Sequence, residues 1–157
     1  MEAPYYETVS IVERLHRRFM DVIKSDLERA GILDINNVQC LILHNIGDSE
    51  LTVGELTMRG YYLGSNVSYN IKKMVENGYL VQERSKHDKR SIRVKLSNKG
   101  RKLDKALANM YVRHIEDLQN NSNLSNEKLT ELNAILKNLE LFWNDEMGRG
   151  NIKLEDG

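Results

Sequence analysis

Residues 65–97 read SNVSYNIKKMVENGYLVQERSKHDKRSIRVKLS, and the hydrophobic period changes once along them. Over 65–77, Val67, Ile71, Met74 and Val75 fall at i, i+4, i+7 and i+8, the inward stripe of an amphipathic helix. Ser65 suits its N-cap and Gly78 its stop. The outward face is then expected to carry Asn66, Ser68, Tyr69, Asn70, Lys72 and Lys73. All are hydrogen-bonding or positive, and no acid appears before Glu76. From residue 79 the period drops to two. YLVQERS (79–85) and SIRVKLS (91–97) predict two antiparallel strands. The link KHDKR (86–90) makes them a β-hairpin with a basic tip. Within 84–96, Arg84, Lys86, His87, Lys89, Arg90, Arg93 and Lys95 stand against one acid, Asp88.

Working outward, helical spacing recurs on both sides. Val12, Leu15, Phe19, Val22, Ile23 and Leu27 predict a long helix over 7–29, ended by Gly31. Val38, Leu41, Ile42 and Ile46 predict another over 36–46, capped by Asn36 and stopped by Gly47. LTV (51–53) is a short β-branched piece. GELTMRG (54–60) is a short helix, with Thr52 and Glu55 at the spacing of a capping box. Beyond the hairpin, Leu103, Ala106, Leu107, Met110, Tyr111, His114 and Leu118 mark one side of a helix over 98–119, with Ser97 as its cap. NNSN (120–123) breaks the chain. Leu129, Leu132, Ile135, Leu136, Leu139 and Phe142 then mark a last helix over 125–147, capped by Ser125. The tail from 148 is expected to fray.

The 157 residues carry 23 Lys+Arg and 23 Asp+Glu, a net charge of zero that hides a split. Residues 1–64 hold 6 cations against 10 acids, residues 65–105 hold 12 against 4, and residues 106–157 hold 5 against 9. A basic block flanked by acidic helices points to a polyanionic partner. With 40% apolar residues the chain can bury a core, and no apolar run spans a bilayer. One cysteine excludes an internal disulfide framework. The charged N-terminus does not read as a secretory signal, so a cytoplasmic location is expected.

A short helix, a turn, a polar-faced helix and a hairpin make a winged helix-turn-helix, so the expected fold class is mainly α with a small β-hairpin. An α-helix fits the major groove of duplex DNA, where Asn, Ser and Tyr side chains can meet base edges and Lys72 and Lys73 phosphates. A basic hairpin tip can reach the adjacent minor groove, with Arg90 the residue suited to insertion and Asp88 placed to hold the wing in shape.

The chain resembles the MarR family of bacterial transcription regulators. INNVQCLIL (35–43), VGELT (53–57), SNVSYNIKKMVENGYLVQERS (65–85), Asp88-Lys89-Arg90 followed by Ser91, and LSNKGRKL (96–103) carry the likeness, which covers about residues 7–145. It implies an N-terminal dimerisation helix (1–33), a winged helix-turn-helix DNA-binding lobe (34–97), C-terminal dimerisation helices (98–148) and a tail (149–157). It implies a homodimer on a pseudo-palindromic operator in double-stranded DNA, modulated by a small organic effector. Ser65, Asn66, Ser68, Tyr69 and Asn70 take base-reading positions, Lys72 and Lys73 phosphate-facing ones. Arg84, Lys86 and Lys89 belong to the wing, Arg90 matches its minor-groove arginine and Asp88 its structural acid. RGYYLGSN (59–66) departs from the family's turn, which adds Tyr61, Tyr62 and Gly64 to the candidate DNA contacts. YYLGSNVSYN is similar to an alphaproteobacterial branch that includes regulators of L,D-transpeptidase and cell-wall stress genes.

The fold resemblance also makes His16, Phe19, Met20, Cys40, His44, Met58, Met110 and His114 candidates for the effector pocket. Methionines in helices are equally at home as adaptable core filler. Cys40, mid-helix among apolar residues, reads as a buried thiol rather than a redox switch. The histidines lack the spacing of a metal site, so neither metal nor cofactor is expected. No phosphate loop, nucleophile elbow or Cys–His pair suggests an enzyme. The rival reading is a winged-helix protein–protein adaptor, which would need an apolar or acid-complementary face on helix 65–77.

Overall fold

The structure is a computed structural model, and it describes residues 2–59, 64–84, 91–150 and 152–154. The expectations placed on 60–63 and on the wing tip 85–90 (Tyr61, Tyr62, Lys86, Asp88, Lys89 and Arg90) lie outside these residues. The chain divides into two compact units, Met1–Asn109 and Met110–Gly157. Among the described residues no helix is long and apolar enough to cross a membrane.

The first unit begins with α1 (Glu2–Arg29), which starts earlier than its apolar stripe predicts. Pro4 falls in its first turn, where a missing N–H forfeits no helical bond. Only Ile23 and Leu27 of α1 are buried. α2 (Asn37–Ile46) is capped as expected: Asn36 Oδ1 accepts the Gln39 amide at 2.8 Å, and Gln39 Oε1 accepts the Asn36 amide at 3.1 Å. It buries Cys40, Ile42, Leu43 and Ile46, and also the polar Gln39.

A three-stranded antiparallel sheet follows in the order β1-β3-β2, from β1 (Leu51–Thr52), β2 (Leu80–Arg84) and β3 (Ile92–Leu96). Leu51 pairs with Val94, and Leu80 with Leu96. These four side chains are buried on one sheet face, each contributing roughly 1.5–3 kcal/mol. Strand alternation sends Arg93 and Lys95 to the opposite face.

α4 (Gly64–Glu76) starts one residue before expectation, so Ser65 stands within its first turn rather than at its cap. It ends as expected at Gly78, whose φ of +81° is a conformation L side chains resist. The Gly78 and Tyr79 amides close the helix on the carbonyls of Val75 and Met74 at 3.0 and 2.9 Å.

α5 (Asn98–Asn121) docks on this corner. The Ser97 amide donates to the Tyr79 carbonyl at 3.0 Å, and the Gly100 amide to Ser97 Oγ at 3.1 Å. A Cβ on Gly100 would lie 2.2 Å from the Tyr79 carbonyl oxygen. The Leu-Ser-x-x-Gly start of this helix is thus a contact requirement.

Asp34 knots the same corner. Its carboxylate accepts from the Tyr79 hydroxyl and from Lys99 Nζ, its carbonyl accepts from Asn77 Nδ2 at 2.9 Å, and Lys99 also donates to the Asn77 carbonyl at 2.8 Å. The bonds from Lys99 and then Tyr79 hold the Asp34 carboxyl below the usual carboxylate range, against a smaller effect of burial. Since the folded value is the lower one, this stabilisation is complete above the unfolded value of about 3.9 and is lost as pH falls through the folded value. Asp34→Asn should therefore lower the melting temperature at pH 7, with the gap from wild type closing as pH falls below the unfolded value of about 3.9 and through the lower folded one. A gap that stays constant down the acid range would assign the corner's stability elsewhere.

In the second unit, α6 (Asn126–Met147) is capped by Ser125 as expected, but none of its residues is buried. The predicted inward stripe is corrected here: Leu132, Ile135, Leu136 and Phe142 are exposed, and Leu129 and Leu139 half-buried. In α5, Leu103, Leu107 and Met110 are buried as expected, whereas Ala106 and Leu118 are exposed.

Candidate nucleic-acid interface

The interface is built from α3 (Val53–Met58) and α4. The first turn of α3 is secured by the expected capping box: Thr52 Oγ1 accepts the Glu55 amide at 3.1 Å, and Glu55 Oε2 accepts the Thr52 amide at 3.2 Å. α4 lays Val67, Ile71 and Met74 into the core. Its exposed residues, among those described, are Asn66, Ser68, Tyr69, Lys72 and, at its last position, Glu76, with Lys73 half-exposed beside them. Tyr69 is 62% exposed, and the Lys73 ammonium lies 6.0 Å from its ring centroid. Lys73 also approaches Glu76 at 3.5 Å, so part of its charge is already met. Side-chain oxygens, amides and a hydroxyl beside two cations can donate to and accept from base edges and pair with phosphates. Tyr69 is the one large ring on this exposed face among the described residues.

Asn70 corrects the expected outward face. It is only 8% exposed, its Oδ1 accepts from Gln39 Nε2 at 3.1 Å, and its Nδ2 donates to the Asn66 carbonyl at 2.8 Å. Sorting α4 by polarity alone put it outside. A buried amide partner on α2 made the inside accessible to it. Gln39 itself went unnoticed as an interior residue, although Asn-x-x-Gln at 36–39 is a capping-box signal that pins a Gln side chain near the helix start.

The basic block is dealt out unequally. Lys95 Nζ lies 2.9 Å from Glu83 and 3.5 Å from Glu50, and Lys99 is committed to Asp34. Pairing with Glu83 first, and then Glu50, raises the Lys95 pKa. Arg84 is exposed on the edge strand, opposite Ile92. No ion pair engages Lys72, Arg84 or Arg93 among the described residues. The cations therefore do not all converge, and Lys72 is the freest on α4. Gly64 and Ser65 open α4, and the Ser65 side chain lies outside the described residues.

The pocket candidates meet very different surroundings. Cys40 is completely buried, whereas Met58 is 88% exposed and His16 is exposed. Phe19, Met20 and His44 are half-buried in the first unit, with His44 Nδ1 2.7 Å from Asp104 Oδ1. In the second unit Met110 is buried and His114 half-buried. Two clefts of the first unit are lined by other residues, among them Lys24, Leu33 and Asn37 in one and Arg18, Asp21 and Arg29 in the other.

Burial, and then the Asp104 charge, push the Cys40 thiol up to about 12. The reactive thiolate is scarce at neutral pH. Native protein should resist iodoacetamide at pH 7.5 while urea-unfolded protein is alkylated, as mass spectrometry would report. Equal rates in both states would reopen a redox role.

A family model described as MarR family matches residues 33–91. The exopolysaccharide II synthesis transcriptional activator ExpG of Rhizobium meliloti (strain 1021) is 37% identical over 139 residues, covering 88% of this chain and 71% of that protein. Streptococcus pneumoniae FabT, solved in complex with DNA, matches with a TM-score of 0.74 at 18% identity over 90% of this chain and 98% of that one. Staphylococcus aureus MarR, solved in complex with salicylate and kanamycin, matches with a TM-score of 0.74 at 20% identity over 92% of this chain and 95% of that one. At such identities the two structures share the winged-helix fold with this chain.

Proposed function

Because this chain belongs to the MarR family of transcriptional regulators, we propose that it works as a cytoplasmic homodimer on a pseudo-palindromic operator in double-stranded DNA. One observation carries the proposal: the exposed face of α4 is hydrogen-bonding and cationic, with no acid before Glu76. Asn66, Ser68 and Tyr69 read base edges, and Lys72 and Lys73 meet phosphates. Gly64 and Ser65 approach the backbone at the helix start. Arg84 leads into a wing whose Lys86, Lys89 and Arg90 take the adjacent groove, with Asp88 holding its shape. This wing assignment rests on the family resemblance.

Residues 34–97 form the DNA-binding lobe, and the helices of 1–33 and 98–148 form the dimer. Uncovered apolar side chains support the latter: Tyr6, Ile11 and Leu15 on α1, and Ile135, Leu141 and Phe142 on α6. A patch of that kind on a solvent-facing helix calls for a partner surface. A small organic acid of the salicylate type is the proposed effector class, supported by the ligand of the staphylococcal relative. Its signal would require different affinities for the DNA-free and DNA-ready forms. Cell-wall and stress genes are the proposed targets, on the likeness of YYLGSNVSYN to regulators of such genes.

The test is selection from a randomised 30-base-pair duplex pool, followed by fluorescence anisotropy and sedimentation equilibrium. Enrichment of an inverted repeat bound by two protomers is expected. Equal affinity for selected and unrelated duplexes, or a monomer at micromolar concentration, would overturn the reading.

A further inference from the structure

The geometry points to Gln39 and Asn70 as positioning residues that set the rotation of the recognition helix, and so the specificity of base reading; this rests on the DNA-binding role proposed above. The two amides are 7% and 8% exposed, where α2 crosses α4. Their hydrogen bonds run in a single direction. The Asn36 amide needs an acceptor and takes Gln39 Oε1 at 3.1 Å. That turns Gln39 Nε2 toward Asn70 Oδ1 at 3.1 Å, which in turn leaves Asn70 Nδ2 to donate to the Asn66 carbonyl at 2.8 Å. The relay thus starts at the cap of α2 and ends on the first turn of α4. There Asn66, Ser68 and Tyr69 face outward.

An apolar pair would fill this crossing with less desolvation cost. What amides add is direction. Val67, Ile71 and Met74 can slide or roll against a core by fractions of an ångström without losing contact. A hydrogen bond near 3 Å cannot. On a helix about 5 Å in radius, a 20° roll moves a side-chain tip by ~2 Å, enough to break a contact to a base edge. Asn70 itself, buried and fully engaged, reads no base; it aims its neighbours.

The experiment compares wild type with Gln39→Met/Asn70→Leu, which replaces both amides by apolar side chains of similar size. The probes are the duplex enriched by the wild type and an unrelated duplex of equal length. The variant should fold, melting somewhat lower because the Asn36 amide loses its Gln39 acceptor, and bind the unrelated duplex equally, with the same salt slope. Its preference for the enriched duplex should fall roughly ten-fold, the scale of one weakened base contact. A folded variant with undiminished preference would reduce the pair to core packing and overturn the inference. If the double variant does not fold, Asn70→Ser, too short to reach Gln39, carries the same expected loss of preference and the same refutation. A wild type that enriches no sequence would instead overturn the DNA-reading role itself, and the inference with it.

Discussion

Gly100→Ala is expected to destabilise the protein by about 3 kcal/mol, the upper end of what an unrelieved overpacking clash costs. Helix propensity alone argues the opposite, because Ala in place of Gly inside a helix gains about 1 kcal/mol. The new methyl would sit 2.2 Å from the Tyr79 carbonyl oxygen and 3.4 Å from Leu96 Cβ. That carbonyl cannot swing aside, since it accepts the Ser97 amide at 3.0 Å. The start of α5 would have to lift off the corner, straining the Lys99–Asp34 pair at the same time. For a chain of this size each kcal/mol moves the melting temperature by roughly 2–4 °C, so a drop of about 6–12 °C should appear by circular dichroism. A variant that melts at or above wild type would show that α5 does not press on Tyr79 in solution.

The second large effect concerns salt. A regulator that neutralises 6–10 phosphates loses roughly 10³–10⁵ in affinity between 50 and 200 mM salt, because each contact releases condensed counterions. Operator binding by this protein should fall within that range. Its cations should not contribute equally. Lys72→Ala should reduce the slope of log affinity against log salt by about one per protomer, hence about two for a dimer. Lys95→Gln should leave the slope unchanged, because that ammonium is held between Glu83 and Glu50. Lys99→Met should lower the melting temperature rather than the slope, since it removes the partner of Asp34. If Lys95→Gln cuts the slope as much as Lys72→Ala, the intramolecular pairs open on DNA and their assignment as structural is wrong.

Much of this was legible in the residues. Thr52 and Glu55, Asn36 and Gly47, Ser125 and Gly78 mark helix ends that the structure keeps, because caps act within one turn and need no distant partner. The inward positions of Val67, Ile71 and Met74 followed from the same local logic. Asn70 did not. It stands about 60° from Val67 around the helix, at the rim of the apolar stripe. Which rim is buried depends on the residue opposite, here Gln39. The pairing of Lys95 and Lys99 was hidden for a related reason: Asp34 lies far from Lys99 in the chain, and Glu83 meets Lys95 only once the two strands pair. The stripe of α6 was real but misassigned. An amphipathic pattern says that a face wants cover, not which molecule covers it.

By itself, the amino-acid order determined the succession of helices and hairpin, the end of most elements and the polar character of α4, since each depends on neighbours within a few positions. Only the folded chain decided which cations stay available, that Asn70 points inward, and why position 100 must be Gly. Those outcomes depend on atoms brought together from distant segments, where one partner's charge, amide or carbonyl settles what the other can do.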